Sequence, residues 1–130
     1  MKKIIVICLF FGLASCNSQE KKDTSFIDVN VEEFQQLISK KGTQLVDVRT
    51  PAEFNAGHIK DAKLINFFDS DFNEKSIKVL DKNKPVFLYC RSGGRSAKAA
   101  KKYKDAGFTK VYNLLGGFNA WSAKNFKIEK

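Results

Sequence analysis

Between Val86 and Tyr103 the chain changes its period within a few residues, and few folds accommodate that change. Val86-Phe87-Leu88-Tyr89 is a run of β-branched and aromatic residues that ends at Cys90. Arg91-Ser92-Gly93-Gly94-Arg95-Ser96 follows. Then comes Ala97-Lys98-Ala99-Ala100-Lys101-Lys102-Tyr103, alanine-rich with lysines at helical spacing. A strand, a short loop and a helix joined this tightly turn successive backbone N–H groups and the positive helix end into one concavity. That concavity suits an anion, and the spacing places Cys90 at its rim.

The chemistry follows from the placement. The thiolate is the nucleophilic form of cysteine, and helix N-termini with nearby arginines lower its pKa from about 8.5 into the range of roughly 3.5–7.5. An ionised Cys90 would attack a bound electrophile, and the same amides would stabilise negative charge developing on it. The competing reading is a buried, inert cysteine closing a strand. Arg-Ser-Gly-Gly-Arg-Ser directly after Cys90 favours the reactive reading.

The N-terminus has a separate logic. Met1-Lys2-Lys3 is basic, and Ile4 to Ala14 is an apolar run of 11 residues, too short to span a bilayer and patterned as a secretory signal. It ends in Leu13-Ala14-Ser15-Cys16, which resembles the lipobox of bacterial lipoproteins. That resemblance implies cleavage before Cys16 and a diacylglycerol on its sulfur. An ordinary signal with a chance cysteine, or an uncleaved anchor, is the alternative. Asn17 to Ser25 is polar without an apolar period and reads as a tether. The expected division is a signal peptide over 1–15, a tether over 16–25 and one domain over 26–130. The expected location is outside the cytoplasm, membrane-anchored through Cys16.

On this reading Cys8 leaves with the signal, Cys16 becomes a thioether and Cys90 is the one free thiol of the mature chain. No intramolecular disulfide is then available, and an unpaired thiol in an oxidising compartment needs a use. Loss of Lys2 and Lys3 leaves 21 basic against 14 acidic residues, a net charge of +7 instead of +9. No basic stripe interleaves with aromatics, so nucleic acid is not an expected partner. Many lysines, Lys98, Lys101, Lys102 and Lys104 among them, fall on a solvated helix face, with attraction to anionic headgroups as a second use of the charge.

The whole chain is 43% hydrophobic with 12 phenylalanines, enough for a full core. Phe26–Val29 reads as a strand. A helix follows, with Asn30 as cap, Phe34, Leu37 and Ile38 as its stripe and Gly42 as its close. Gln44–Arg49 is a strand, and Thr50-Pro51-Ala52-Glu53 opens a short helix ending by Gly57. Lys63–Phe67 is a strand. Asp71–Leu80 is a helix with Phe72, Ile77 and Leu80 inward. Pro85–Tyr89 is a strand, Arg95–Ala106 a helix closed by Gly107, and Val111–Leu114 the last strand. Gly116-Gly117 then opens a short helix holding Phe118 and Trp121. Alternation of this kind means an α/β domain with a mostly parallel sheet and helices on both faces. Ligands in such sheets bind beyond the carboxyl ends of the strands. Cys90, Arg49 and the Leu115-Gly116-Gly117 turn all fall there.

Four blocks together resemble a single-domain rhodanese: Leu45 to Phe54, Gly57-His58-Ile59, Tyr89 to Ser96, and Gly116 to Trp121. They stand in that family's order and spacing. Lys60-Asp61 departs from the family's common Pro-Gly at a turn remote from Cys90. The resemblance implies a three-layer rhodanese-like fold and a sulfurtransferase. Cys90 would take the outer sulfur of a small anionic donor such as thiosulfate, hold it as a persulfide and pass it to a thiol or cyanide acceptor. No metal or other cofactor is implied, and a monomer is expected. The loop from Cys90 to Arg95 has six residues, the length of sulfur-transferring members, whereas related phosphatases and arsenate reductases have one more. A module that carries persulfide or senses redox state through a protein partner is the alternative.

The resemblance also assigns roles. Arg91, Ser92, Gly93, Gly94, Arg95 and Ser96 form the anion-binding loop, with Arg95 orienting it and Arg91 facing donor or solvent. Asp47 and Arg49 match the family's Asp-x-Arg. Asp47 is expected to tie down the loop region, and Arg49 to pair with Glu53 or attract the anion, both mainly in support. His58 is expected to sit in a structural turn, since an ionised thiolate needs no base.

Overall fold

The structure, a computed structural model, describes residues 25–130. The expected signal peptide, Cys16 and the tether as far as Thr24 lie outside the described residues. Ser25, assigned to the tether from sequence, is already the first residue of a strand.

The elements run β1 (Ser25–Val29), α1 (Val31–Ile38), β2 (Gln44–Asp47), α2 (Pro51–Ala56), β3 (His58–Ile59) and β4 (Lys63–Leu64). They continue with α3 (Phe72–Val79), β5 (Val86–Tyr89), α4 (Gly94–Asp105), β6 (Lys110–Leu114), α5 (Gly117–Ala123) and β7 (Ile128–Glu129). Strands β1, β6, β5, β2 and β4 lie side by side in that order, every neighbouring pair parallel. β3 and β7 form a small antiparallel pair of their own.

Side chains alternate across the sheet, so β5 feeds two cores at once. Val86 and Leu88 pack with Val46 and Val111 against Phe72, Ala99, Ala100 and Tyr103 of α3 and α4. Phe87 and Tyr89 pack with Leu45 and Leu114 against Val31, Phe34 and Trp121 of α1 and α5. The result is three layers with helices on both faces, as expected for a strand buried on both sides.

Local sequence sets the helix starts. The Asn30 side chain accepts from the Glu33 amide at 2.9 Å. At α2, Thr50 Oγ1 accepts from the Glu53 amide at 3.3 Å while Glu53 Oε2 accepts from the Thr50 amide at 3.0 Å, a complete capping box.

Several sequence expectations need correction. α1 stops at Ile38, four residues short of Gly42, because Ser39 caps it and the chain turns through Lys40 and Lys41 before β2. Ile77 is 46% exposed, and Ser76 takes the inward position instead. Its hydroxyl pairs with Phe72 O and the Tyr103 hydroxyl, both at 2.7 Å, which lets a polar side chain sit in the core. The expected strand Lys63–Phe67 is regular only over β4. The Ile65 and Phe67 amides nonetheless donate to Asp47 O and Val48 O at 3.0 Å, so pairing continues past the regular ladder. β3 and β7 are two residues each and carried no period to read.

Candidate active site

The loop begins where β5 ends. Cys90 leaves the strand, the chain turns through Gly93 at φ +107°, and α4 starts at Gly94. A left-handed residue at this helix start costs glycine little and other residues much more. The turn brings the Gly93 amide to 3.1 Å from Cys90 Sγ and the Ser96 hydroxyl to 3.4 Å. Ser96 Oγ also lies 3.2 Å from Gly93 O, and its single proton serves one acceptor at a time.

Burial of the Cys90 thiol works to raise its pKa. The Ser96 hydroxyl and the amides of Ser96, Gly93 and Ser92 outweigh that and bring it below the ordinary thiol value. Two expectations change here. Cys90 is 1% exposed, so the sulfur lies on the floor of the loop and not at its rim. The groups that most favour the thiolate are a hydroxyl and amides, and the Arg95 guanidinium couples to it more weakly through charge.

Arg95 makes a different connection. Its NH1 and NH2 donate to Glu53 Oε2 and Oε1 at 2.8 and 2.7 Å, and its guanidinium lies 5.6 Å from the Phe68 ring centre. The Arg95 hydrogen bonds hold the Glu53 carboxyl down at about 2 against the cost of partial burial, with Thr50 helping. The start of α4 is thereby joined to the start of α2. Glu53, expected to pair with Arg49, is paired with Arg95 instead.

The β6–α5 turn closes the loop from behind. Phe118 and Asn119 amides donate to Cys90 O at 2.8 Å and to Arg91 O at 3.0 Å. Gly117 permits this approach, since a Cβ there would stand 2.5 Å from Cys90 O and 2.7 Å from Arg91 C and O. The turn does reach the pocket region, as strand-end placement suggested. The amide contacts of Phe118 and Asn119 with the loop were not foreseen from sequence, because they join backbone groups 28 residues apart.

Asp47 and Arg49 are occupied with each other. Asp47 Oδ1 accepts from the Arg49 amide at 2.9 Å, and the guanidinium donates to the same carboxylate at 2.7 to 3.0 Å and to Gly57 O at 2.7 Å. The arginine plane lies 4.2 Å from the Phe118 ring centre, and burial that would discharge it is overcome by Asp47. Asp47 therefore does not hold the loop, and Arg49 does not pair with Glu53. The pair braces the C-terminal end of β2 against α5 and Gly57.

Beside the loop is a cleft of about 180 Å³ lined by Arg49, Glu53, Gly57, Arg91, Phe118 and Asn119. Arg91 is exposed and makes no ion pair among the described residues. His58 stacks on Phe54 with centroids 3.7 Å apart and its Nδ1 meets Phe54 O at 3.0 Å, a turn contact away from Cys90. Among the described residues no three His, Cys, Asp or Glu side chains gather as a metal site.

The arrangement favours the thiolate form of Cys90 beside an open cleft that carries Arg91, unpaired among the described residues. Residues 30–124 match the family model described as a rhodanese-like domain. An uncharacterized Bacillus subtilis protein, YqhL, is 41% identical over 95% of this chain and 96% of its own length. The thiosulfate sulfurtransferase GlpE of Vibrio cholerae is 31% identical over 80% of this chain and 95% of its own. A crystal structure of a rhodanese-like domain protein from Staphylococcus aureus superposes with a TM-score of 0.65 at 31% identity, covering 80% of this chain and 99% of that one. The loop, the parallel sheet behind it and these relatives lead to one conclusion: the chain belongs to the rhodanese-like domain family.

Proposed function

We propose that this chain is a thiosulfate-type sulfurtransferase with Cys90 as its covalent nucleophile. One observation carries the proposal: an unpaired cysteine sulfur held at the floor of a six-residue loop by the Gly93 amide and the Ser96 hydroxyl, with its pKa lowered. The GlpE and Arabidopsis thaliana relatives named as thiosulfate sulfurtransferases support the choice of donor.

In the first half-reaction the Cys90 thiolate attacks the outer sulfur of thiosulfate. The new S–S bond forms as the old one breaks, and sulfite leaves with the bonding pair. In the second, an acceptor thiolate or cyanide attacks the outer sulfur of the persulfide, and Cys90 leaves as thiolate. No external oxidant or reductant enters, and no metal or cofactor is assigned beyond the persulfide itself. The loop amides serve both halves, since donor, persulfide and departing thiolate are all anionic. The burial of Sγ favours an electrophile that offers a single slim atom, which the outer sulfur of thiosulfate does.

The proposal includes location and partners. Lys2-Lys3, the apolar run to Ala14 and Leu13-Ala14-Ser15-Cys16 support an exported lipoprotein anchored through Cys16. Globomycin should block its processing, and Cys16→Ser should release it from membranes.

Steady-state transfer from thiosulfate to cyanide or to a dithiol tests the activity. Turnover abolished by Cys90→Ala is the expected result. A persulfide that forms but never turns over with any small acceptor would replace the enzyme with a sulfur-carrying interaction module.

A further inference from the structure

We infer that the end of the sheet opposite Cys90 is a docking surface for anionic phospholipid, which turns the active site away from the bilayer. This rests on the membrane anchor proposed above. All strands of the large sheet run one way, so they begin at one pole and finish at the other. Cys90 follows the last residue of β5 and marks the finishing pole. Lys110 opens β6, Lys84 stands just before β5, Lys40 and Lys41 stand before β2, and Lys60 lies between β3 and β4. All five are exposed, and none forms an ion pair among the described residues.

The surface they sit on is concave. A depression of about 320 Å³ gathers Lys40, Lys41 and Lys110 around Phe87 and Tyr112. A second of about 340 Å³ is lined by Lys40, Lys41 and Lys60, with Asp61 as its one carboxylate. Asp81, also near this pole, has its Oδ1 occupied by the Asn83 amide. Asp105, which ends α4 at this pole, is paired with Lys101. Other carboxylates gather at the finishing pole: Glu32, Glu33 and Glu53 lie in the first turns of α1 and α2, and Asp69 and Asp71 precede α3.

Helix dipoles account for those acids, because the helices start at the finishing pole. They do not account for the lysines. α1 has no basic residue in its last turn, and Lys40 and Lys41 lie beyond its cap at Ser39. The excess is therefore a feature of the loops, and a charge dipole runs along the strands.

The chain enters at the same pole. Ser25, the first described residue, pairs with Lys110. Eight residues separate Cys16 from Ser25. Such a length, fully extended, spans no more than about 30 Å. A domain tethered this closely meets the membrane surface first with its lysine pole. Each basic side chain near an anionic leaflet gains about fivefold in partitioning. The headgroup phosphates supply the anion, and the two depressions give them a place to seat.

The test uses the full chain on vesicles of phosphatidylcholine with and without phosphatidylglycerol. A water-soluble amine-acylating reagent is read residue by residue by mass spectrometry. Acylation of Lys40, Lys41 and Lys110 should slow about fivefold on the anionic vesicles and recover at high salt, while Lys98 near the active-site loop stays unchanged. Lys60 and Lys84 should show the same slowing in the wild type, lose it in a K40E/K41E/K110E chain, and that chain should still form its Cys90 persulfide. Equal acylation on both vesicles would overturn the docking surface. The anchor is judged separately by the mass of the Cys16 peptide. If Cys16 is unmodified, the same comparison with chain added freely to the vesicles still decides the docking surface.

Discussion

Arg95 and Glu53, 42 residues apart in sequence, meet through two parallel hydrogen bonds of 2.8 and 2.7 Å that join the first turns of α4 and α2. The contact ties the loop around Cys90 to a helix that carries no reactive group. Each partner also has a local duty, Glu53 in its capping box and Arg95 at the α4 start.

Glu53→Gln should remove a pH dependence of stability. The folded carboxyl sits at about 2 against an ordinary 4.5, so its contribution is complete above about pH 4.5 and fades as the pH falls through about 2. Allowing for its partial exposure, that contribution is about 1–3 kcal/mol. Urea unfolding from pH 6 down to pH 2 should show the wild type losing this increment and the variant lacking it throughout.

Ser96→Ala should raise the pKa of Cys90, because a hydrogen bond to the thiolate is lost while burial remains. The rate against pH should keep its shape and move to higher pH. Below the new midpoint the rate should fall by about tenfold, the order expected of one hydrogen bond to a charged group. A profile that does not move would remove Ser96 from the site's electrostatics.

Gly117→Ala should damage fold and activity together. Its Cβ would stand 2.5 Å from Cys90 O, on a backbone at φ +55°. Displacing the loop or the α5 start costs about 2–4 kcal/mol. Gly94→Ala, with nothing within 4 Å of the new methyl, should leave thermal stability within about 1 kcal/mol of wild type. Thermal melts of the two variants make the comparison.

Asp47→Asn should destabilise by about 3–5 kcal/mol, because it leaves the nearly fully buried Arg49 charge without its carboxylate. The folded fraction should still form persulfide at a rate within about threefold of wild type, since neither residue touches the sulfur. Loss of persulfide formation in fully folded protein would give the pair a direct role.

Short-range features of the fold and site were readable from sequence. The β5–loop–α4 unit, the caps at Asn30 and Thr50 and the two-faced sheet were all legible, because each rests on residue types within a few positions. Ile77 misled, because apolar spacing in α3 suggested an inward isoleucine while Tyr103, far along the chain, offered Ser76 a partner. The partner of Glu53 was misread for a similar reason. Arg49 is near in sequence but already held by Asp47, and Arg95 becomes near only when α2 and α4 share a pole. Exposure of Cys90 was overestimated because the length of a loop says nothing of how closely α5 presses on it from behind.

The central claim is that the thiolate of Cys90 takes one sulfur from a small anionic donor. Intact-mass measurement after incubation with thiosulfate tests it most directly, together with peptide mapping of the product. The account predicts a single added sulfur on Cys90, removed by cyanide and absent in Cys90→Ala. A chain that stays unmodified under these conditions while remaining folded would contradict it.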